Sequence, residues 1–368
     1  VLGDFSPNDE ITEHSKNQIG NDELSFNLGY EFSPNSSLRA NGLYGIGDNE
    51  SLVDRTTLNQ RIVPPVPTFE REDNPTEGDN WEFGSDYEYT LANGDRFKIL
   101  GIANQADDLR IRQRFEQQAG GEFQKNLFLS LHSNTEERIV RSSYTMDIVR
   151  DQDIEFGVER AQTILDSSLA LGLLTSSGPS SPAVGGLTPQ TVSNANSRVE
   201  EIRYEPFVIH NWVLDQRMSL ESTLVYETSE ISQSGDVINK RDFDFIKPKL
   251  DFRYDVTPTL QLRGTIERIV NQLSFADFVA ASDQDDNDSN TLAGNAELRQ
   301  QSQWRYSFRT EYRLPDDIGV LNAQIYYADH QDVIERIDVS PDSTNLQSAN
   351  GNIGDGKEYG VNLSASIR

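Results

Sequence analysis

Residues 304–314 read Trp304-Arg305-Tyr306-Ser307-Phe308-Arg309-Thr310-Glu311-Tyr312-Arg313-Leu314. The even positions carry rings and apolar groups, and the odd positions carry four charges and a serine. Successive side chains of a β-strand point to opposite sides of the sheet, so such a run has one apolar face and one polar face. A helix would scatter both sets around its axis. The same period of two returns from Trp81 to Leu91, with Trp81, Phe83, Tyr87, Tyr89 and Leu91 set against Glu82, Gly84, Asp86 and Glu88. It returns again from Tyr359 to Ile367, and over Leu24–Phe32, Leu38–Ile46, Met218–Tyr226, Leu250–Val256 and Leu260–Ile266. Helical periodicity is scarce, so the chain reads as all-β with about 15 strands. The pattern is weakest over residues 105–160, and residues 1–20 show no clean alternation.

Composition restricts what such a sheet can be. The 368 residues hold 32 Lys and Arg against 60 Asp and Glu, a formal net charge of −28. A nucleic-acid partner is excluded on charge, because phosphate recognition needs a positive footprint. Only 35% of residues are apolar, less than the roughly 45–50% usual in soluble domains. Yet 13 Tyr, 17 Phe and 3 Trp are too many rings for a disordered chain. There is no Cys, hence no disulfide framework and no thiolate chemistry. No apolar run nears the ~18 residues of a membrane helix. An antiparallel transmembrane β-barrel accommodates all of this: lipid supplies the apolar surroundings, and the lumen is polar.

Connection lengths point the same way. Short turns rich in Pro, Asn, Gly and Asp fall at Ser33–Ser36, Ala92–Asp95, Asp215–Gln216, Thr257–Pro258 and Pro315–Asp317. Long polar connections are expected at 47–79, 163–200, 233–240, 273–300 and 338–355. The first holds eight Asp/Glu and three Arg, and the fourth six Asp/Glu and one Arg. Short turns on one rim and long loops on the other is the layout of outer-membrane barrels. Three residues before each short turn stands a ring: Tyr30, Tyr89, Trp212, Tyr254 and Tyr312. One residue before each stands an apolar partner on the same face: Phe32, Leu91, Leu214, Val256 and Leu314. Rings at one fixed depth on strand after strand are expected of a girdle at the water–lipid boundary, here on the periplasmic rim.

A search for reactive constellations finds none. The four His residues, His14, His132, His210 and His330, share no metal-ligand spacing. No nucleophile elbow, zinc-protease helix or phosphate loop occurs. The run Asp283-Gln284-Asp285-Asp286-Asn287-Asp288 resembles the start of a calcium loop, but Asp288 stands where the loop needs Gly and Gly294 where it needs Glu. It reads as a solvated acidic loop. No enzyme and no cofactor is expected. Lumen charges such as Arg263, Glu267, Arg305, Arg309, Glu311 and Arg313 are expected to pair across strands.

Several stretches resemble the late barrel strands and loops of TonB-dependent outer-membrane receptors. They are Lys247-Pro248-Lys249-Leu250, Asp255-Val256-Thr257-Pro258-Thr259-Leu260-Gln261-Leu262-Arg263 and Leu273-Ser274-Phe275-Ala276-Asp277-Phe278-Val279-Ala280. Gly294-Asn295-Ala296-Glu297-Leu298, Gln303-Trp304-Arg305-Tyr306, Asn352-Ile353-Gly354-Asp355-Gly356 and Tyr359-Gly360 continue the likeness. It is good over about 240–368 and architectural before that. It implies a Gram-negative outer-membrane importer of a scarce solute, siderophore-, cobalamin- or oligosaccharide-like. The implied partners are outer-membrane lipid and lipopolysaccharide, the small solute, and the inner-membrane TonB complex that acts through a plug domain. No plug or energy-coupling box is found in residues 1–368, which therefore read as a partial barrel domain, with about 15 of the roughly 22 strands of such transporters. An open sheet is expected, its first and final strands unpaired with each other. A passive porin-like channel and a structural or adhesive barrel are the competing readings.

Overall fold

A computed structural model describes residues 8–176, 178–192, 194–282, 291–340 and 347–367; the acidic run Asp283–Asp288 lies outside them. In chain order the strands are β1 (Asp9–Ser33), β2 (Ser36–Asn59), β3 (Pro67–Thr90), β4 (Arg96–Gln117), β5 (Phe123–Val149), β6 (Gln152–Leu173), β7 (Thr188–Gln190) and β8 (Asn196–Val213). They continue with β9 (Met218–Gly235), β10 (Asn239–Thr257), β11 (Leu260–Val270), β12 (Ala281–Ser282), β13 (Thr291–Leu292), β14 (Ser302–Arg313), β15 (Gly319–Asp338) and β16 (Gln347–Ile367). Thirteen of these sixteen are eleven residues or longer. The long strands form one antiparallel meander in which each pairs with its neighbour in sequence, from β1 through β6, β8 to β11, and β14 to β16. Among the described residues β1 and β16 do not pair with each other, so the sheet is open.

Period two is kept across the whole width. One row of facing residues runs Tyr30, Leu38, Tyr87, Ile99, Ser142, Val158, Pro206. On the same face of β8, Trp212 starts a second row: Leu220, Phe252, Gly264, Phe308, Ile325, Val361. Most of this face is exposed, including Phe26, Tyr306, Phe308, Ile325 and Val361. A water-facing sheet would not present so long an apolar band. The opposite, inner face carries the charges.

Three expectations need correction. Residues 47–79 are not a long loop: Gly47–Asn59 completes β2 and Pro67–Asp79 begins β3, in continuous register from Gly47↔Gly78 to Leu58↔Pro67. Residues 9–20, without alternation, still pair with Asp48–Asn59. Residues 105–160 fall within β4, β5 and β6, at 22, 27 and 22 residues among the longest strands. The cause is common to the first two and to residues 105–138 of the third, while 139–160 flank the turn between β5 and β6. A membrane strand needs only about 9–11 residues, so these strands overshoot the lipid and stand with both faces in water. No burial then enforces alternation, and backbone pairing plus cross-strand charge holds the sheet. Arg55 shows it, bonding Glu13 at 3.0 Å and Glu70 and Glu72 at 3.3 Å, while Arg112 takes Glu72 at 2.7 Å. The other long connections shrink similarly, to 174–195 between β6 and β8 and to 236–238 between β9 and β10. A sixth tight turn, missed in the sequence, lies at Arg150-Asp151, where Asp151 takes φ 64°.

The interior beneath the 271–301 connection

The inner wall formed by β6, β8, β9 and β10 is built from odd-numbered residues. Lys247 of β10 bonds both Glu205 of β8 and Glu227 of β9, the latter at 2.7 Å. Arg203 lies 3.4 Å from Glu205 and 3.8 Å from Glu159. The Glu227 side chain is only 2% exposed. A charge so deeply placed is tolerable only when paired and hydrogen-bonded, and Gln300 adds a bond to its second oxygen at 3.4 Å.

Gln300 belongs to the connection between β11 and β14, of which residues 271–280 and 293–301 fold inward. Leu273, Phe278, Val279 and Leu298 pack with Leu165, Val199 and Ile231 of the wall. Ala280 joins a second cluster with Leu127, Leu129, Leu169 and Leu171. A buried loop must find partners for its own peptide groups, and here side chains of β9, β10 and the 174–195 connection supply them. Gln233 donates to the Phe278 carbonyl at 3.0 Å, Asn239 to that of Ala296 at 2.9 Å, Asn194 to that of Gly294 at 3.2 Å, and Arg241 to that of Leu298. On the other side Asn295 donates to the Asn350 carbonyl at 2.8 Å, and Asn350 returns a bond to the Asp277 carboxylate at 2.7 Å. Asp277 lies outside the strands, in the 3₁₀ turn Phe275–Phe278. Burial raises its pKa, and the bond from Asn350 opposes the rise. The sequence did carry a signal for this docking: Leu273–Ala280 is apolar inside an otherwise acidic connection.

Between wall and connection lies a cavity of about 370 Å³. Leu131, Leu165, Leu273, Phe275 and Val279 give it apolar surface, and Glu137 and Glu201 face it from β5 and β8.

The five aromatic residues singled out in the sequence sit at turn ends of their strands: Tyr30 on β1, Tyr89 on β3, Trp212 on β8, Tyr254 on β10 and Tyr312 on β14. Four are exposed, and Tyr254 is half-buried. Of the charges, Arg263 bonds Asp251 at 2.7 Å, Arg309 donates to Asn322, and Arg313 to Glu311. Arg305 lies over the Tyr326 ring. The histidines stay apart: His132 is bonded to Asp107, His210 to Gln152 and His330 to Glu358, and His14 is exposed. Among the described residues no three His, Asp or Glu are placed to hold a metal ion.

Comparison with known proteins agrees with this architecture. The family model described as TonB dependent receptor-like, beta-barrel matches residues 13–368. No curated protein matches by sequence. Among solved structures, the copper transporter OprC aligns with TM-score 0.62 at 10% identity, over 97% of this chain and 59% of its own. The siderophore receptor PiuA from Acinetobacter baumannii aligns with TM-score 0.57 at 11% identity, over 99% and 62%. The ferric-catecholate import receptor Fiu from K12 E. coli gives 0.56 at 8%, over 98% and 62%. The chain thus spans about three fifths of the length of these structures. It belongs to the TonB-dependent receptor β-barrel family, whose members are Gram-negative outer-membrane proteins.

Proposed function

We propose that residues 1–368 are the barrel portion of an energy-coupled receptor that captures a scarce solute at the cell surface and passes it inward. The observation that carries this is the match of the receptor-barrel family model over residues 13–368. The packing of Leu273, Phe278, Val279 and Leu298 into the interior is consistent with it. Copper, siderophores and ferric catecholates, named for the similar structures, support a solute of the siderophore or related class. In this reading the protein binds and conducts and catalyses no reaction. Its partners are outer-membrane lipid and lipopolysaccharide, the solute, and the TonB complex acting through a plug domain outside these residues. Tyr30, Tyr89, Trp212, Tyr254 and Tyr312 then form the girdle on the turn side.

The test is uptake by cells carrying the full-length gene, with a gene-deletion strain for comparison. Uptake that saturates and stops when the proton gradient is collapsed is the expected result. Uptake indifferent to the gradient would favour a passive channel, and none of any solute a structural barrel.

A further inference from the structure

We propose that the cavity under residues 272–280 is a binding site for a small organic cation, an amine or guanidinium carried on an apolar body. Glu201 of β8 is 6% exposed and lines the cavity. Among the described residues its Oε1 has no hydrogen-bond partner. Of the cations beside it, Arg203 pairs with Glu205 and Glu159, though its own Nε makes no hydrogen bond there, and Lys247 pairs with Glu205 and Glu227. Glu201 makes no ion pair among the described residues. Among the described residues Glu137, the second carboxylate at the cavity, receives the amide of Asn104, at 3.1 Å.

The hydroxyls of Ser133, Thr135, Thr163 and Ser167 also line the cavity and can accept hydrogen bonds. A buried carboxylate among hydroxyl oxygens matches a ligand that brings charge and several N–H groups at once. An ammonium offers three donors and a guanidinium five, and their bonds to a carboxylate are the stronger, charge-assisted kind. Burying such an ion without a counter-charge would be costly; Glu201 is the carboxylate placed to supply it. A bare metal ion fits less well, because no third acidic or histidine ligand is in place. The remaining surface, from Leu131, Leu165, Leu273, Phe275 and Val279, suits an aliphatic or aromatic body. At about 370 Å³ the volume lies at the lower end of ligand pockets, roughly 300–1,000 Å³, so the ligand, or the part of it that enters, is small.

The assignment deepens the import reading and rests on it for its physiological sense, but binding can be measured without uptake. The probes are 2-phenylethylamine, its neutral isostere 2-phenylethanol and the anion 3-phenylpropionate, titrated calorimetrically into the full-length protein in detergent at neutral pH. The amine is expected to bind at least tenfold more tightly than the alcohol, and the anion not at all. In Glu201→Gln the amine should weaken at least tenfold while the alcohol stays within about twofold. Leu165→Trp, which fills the cavity and keeps Glu201, should abolish both and covers the case in which the first variant fails to fold. Equal binding of amine and alcohol, an unchanged amine affinity in Glu201→Gln, or no amine binding to the wild type would overturn the proposal. So would a lysine or arginine from elsewhere in the full-length chain found seated on Glu201. Amine binding without energised uptake of the amine would defeat the import reading for that ligand and leave the site standing. Energised uptake of another solute with no amine binding would do the reverse.

Discussion

At the scale of the residue, what surrounds a position decides its tolerance more than its chemistry does. Phe308 and Ser307 are adjacent on β14, yet one joins the exposed apolar band and the other faces the interior opposite Thr265. Phe308→Arg is expected to cost roughly 2–4 kcal/mol in lipid, the range for an arginine near mid-membrane. Ser307→Arg, in contact with water, should cost well under half of that. Urea unfolding in liposomes measures both, and equal costs would mean the two faces are exchanged. Lys247 poses the opposite case. Lys247→Ala would leave Glu205 and Glu227 without their shared cation, a loss of about 3–5 kcal/mol by the usual cost of stranding a buried charge. Lys247→Met fails equally, since the carboxylates stay behind, and only removal of Glu205 and Glu227 along with the lysine should recover stability. None of this was visible in the sequence, where sixty carboxylates made any one pair uninformative.

At the scale of the element, the alternating runs were legible wherever lipid enforces them, as on β14 and the turn-side half of β3. They vanished where the strands rise into water, because Asp9–Gly20 and Gly47–Asn59 pair through their backbones whatever their side chains are. The inward connection was half legible: Leu273–Ala280 is apolar, but its partners lie on β5, β6, β8, β9 and β16, and no local pattern names them. Its docking should respond to pH. Burial raises the pKa of Asp277, so the docked connection takes up a proton more readily than the free one. That contribution is complete below the ordinary aspartate range and is lost as pH rises through the docked value. Hydrogen exchange at residues 271–280, corrected for intrinsic rates, should therefore slow as pH falls toward 4. Asp277→Asn keeps an oxygen for Asn350 and carries no charge, so it should exchange slowly at neutral pH and lose the pH response. A wild-type profile that is flat with pH would contradict this.

At the scale of the whole molecule, the proposed girdle sets a depth that can be measured. In a full-length protein with Trp81 and Trp304 changed to Phe and any tryptophan outside these residues likewise replaced, Trp212 fluorescence should be quenched more by lipids brominated near the headgroup than by those brominated near the chain ends. The reverse order would remove Trp212 from the boundary. The meander has a further consequence, in time rather than space. Each long strand pairs with the strand beside it in sequence, and tight turns make such pairings cheap in loop-closure entropy. The wall can therefore grow strand by strand in the order of synthesis. The 271–301 connection cannot keep that schedule, because it is made before β14 to β16 yet is fastened to Asn350 and Asn352 of β16. Its fastening is therefore complete only once β16 is in place. Lys247, Glu205 and Glu227 need no such partner from later in the chain, because they neutralise one another within the wall itself.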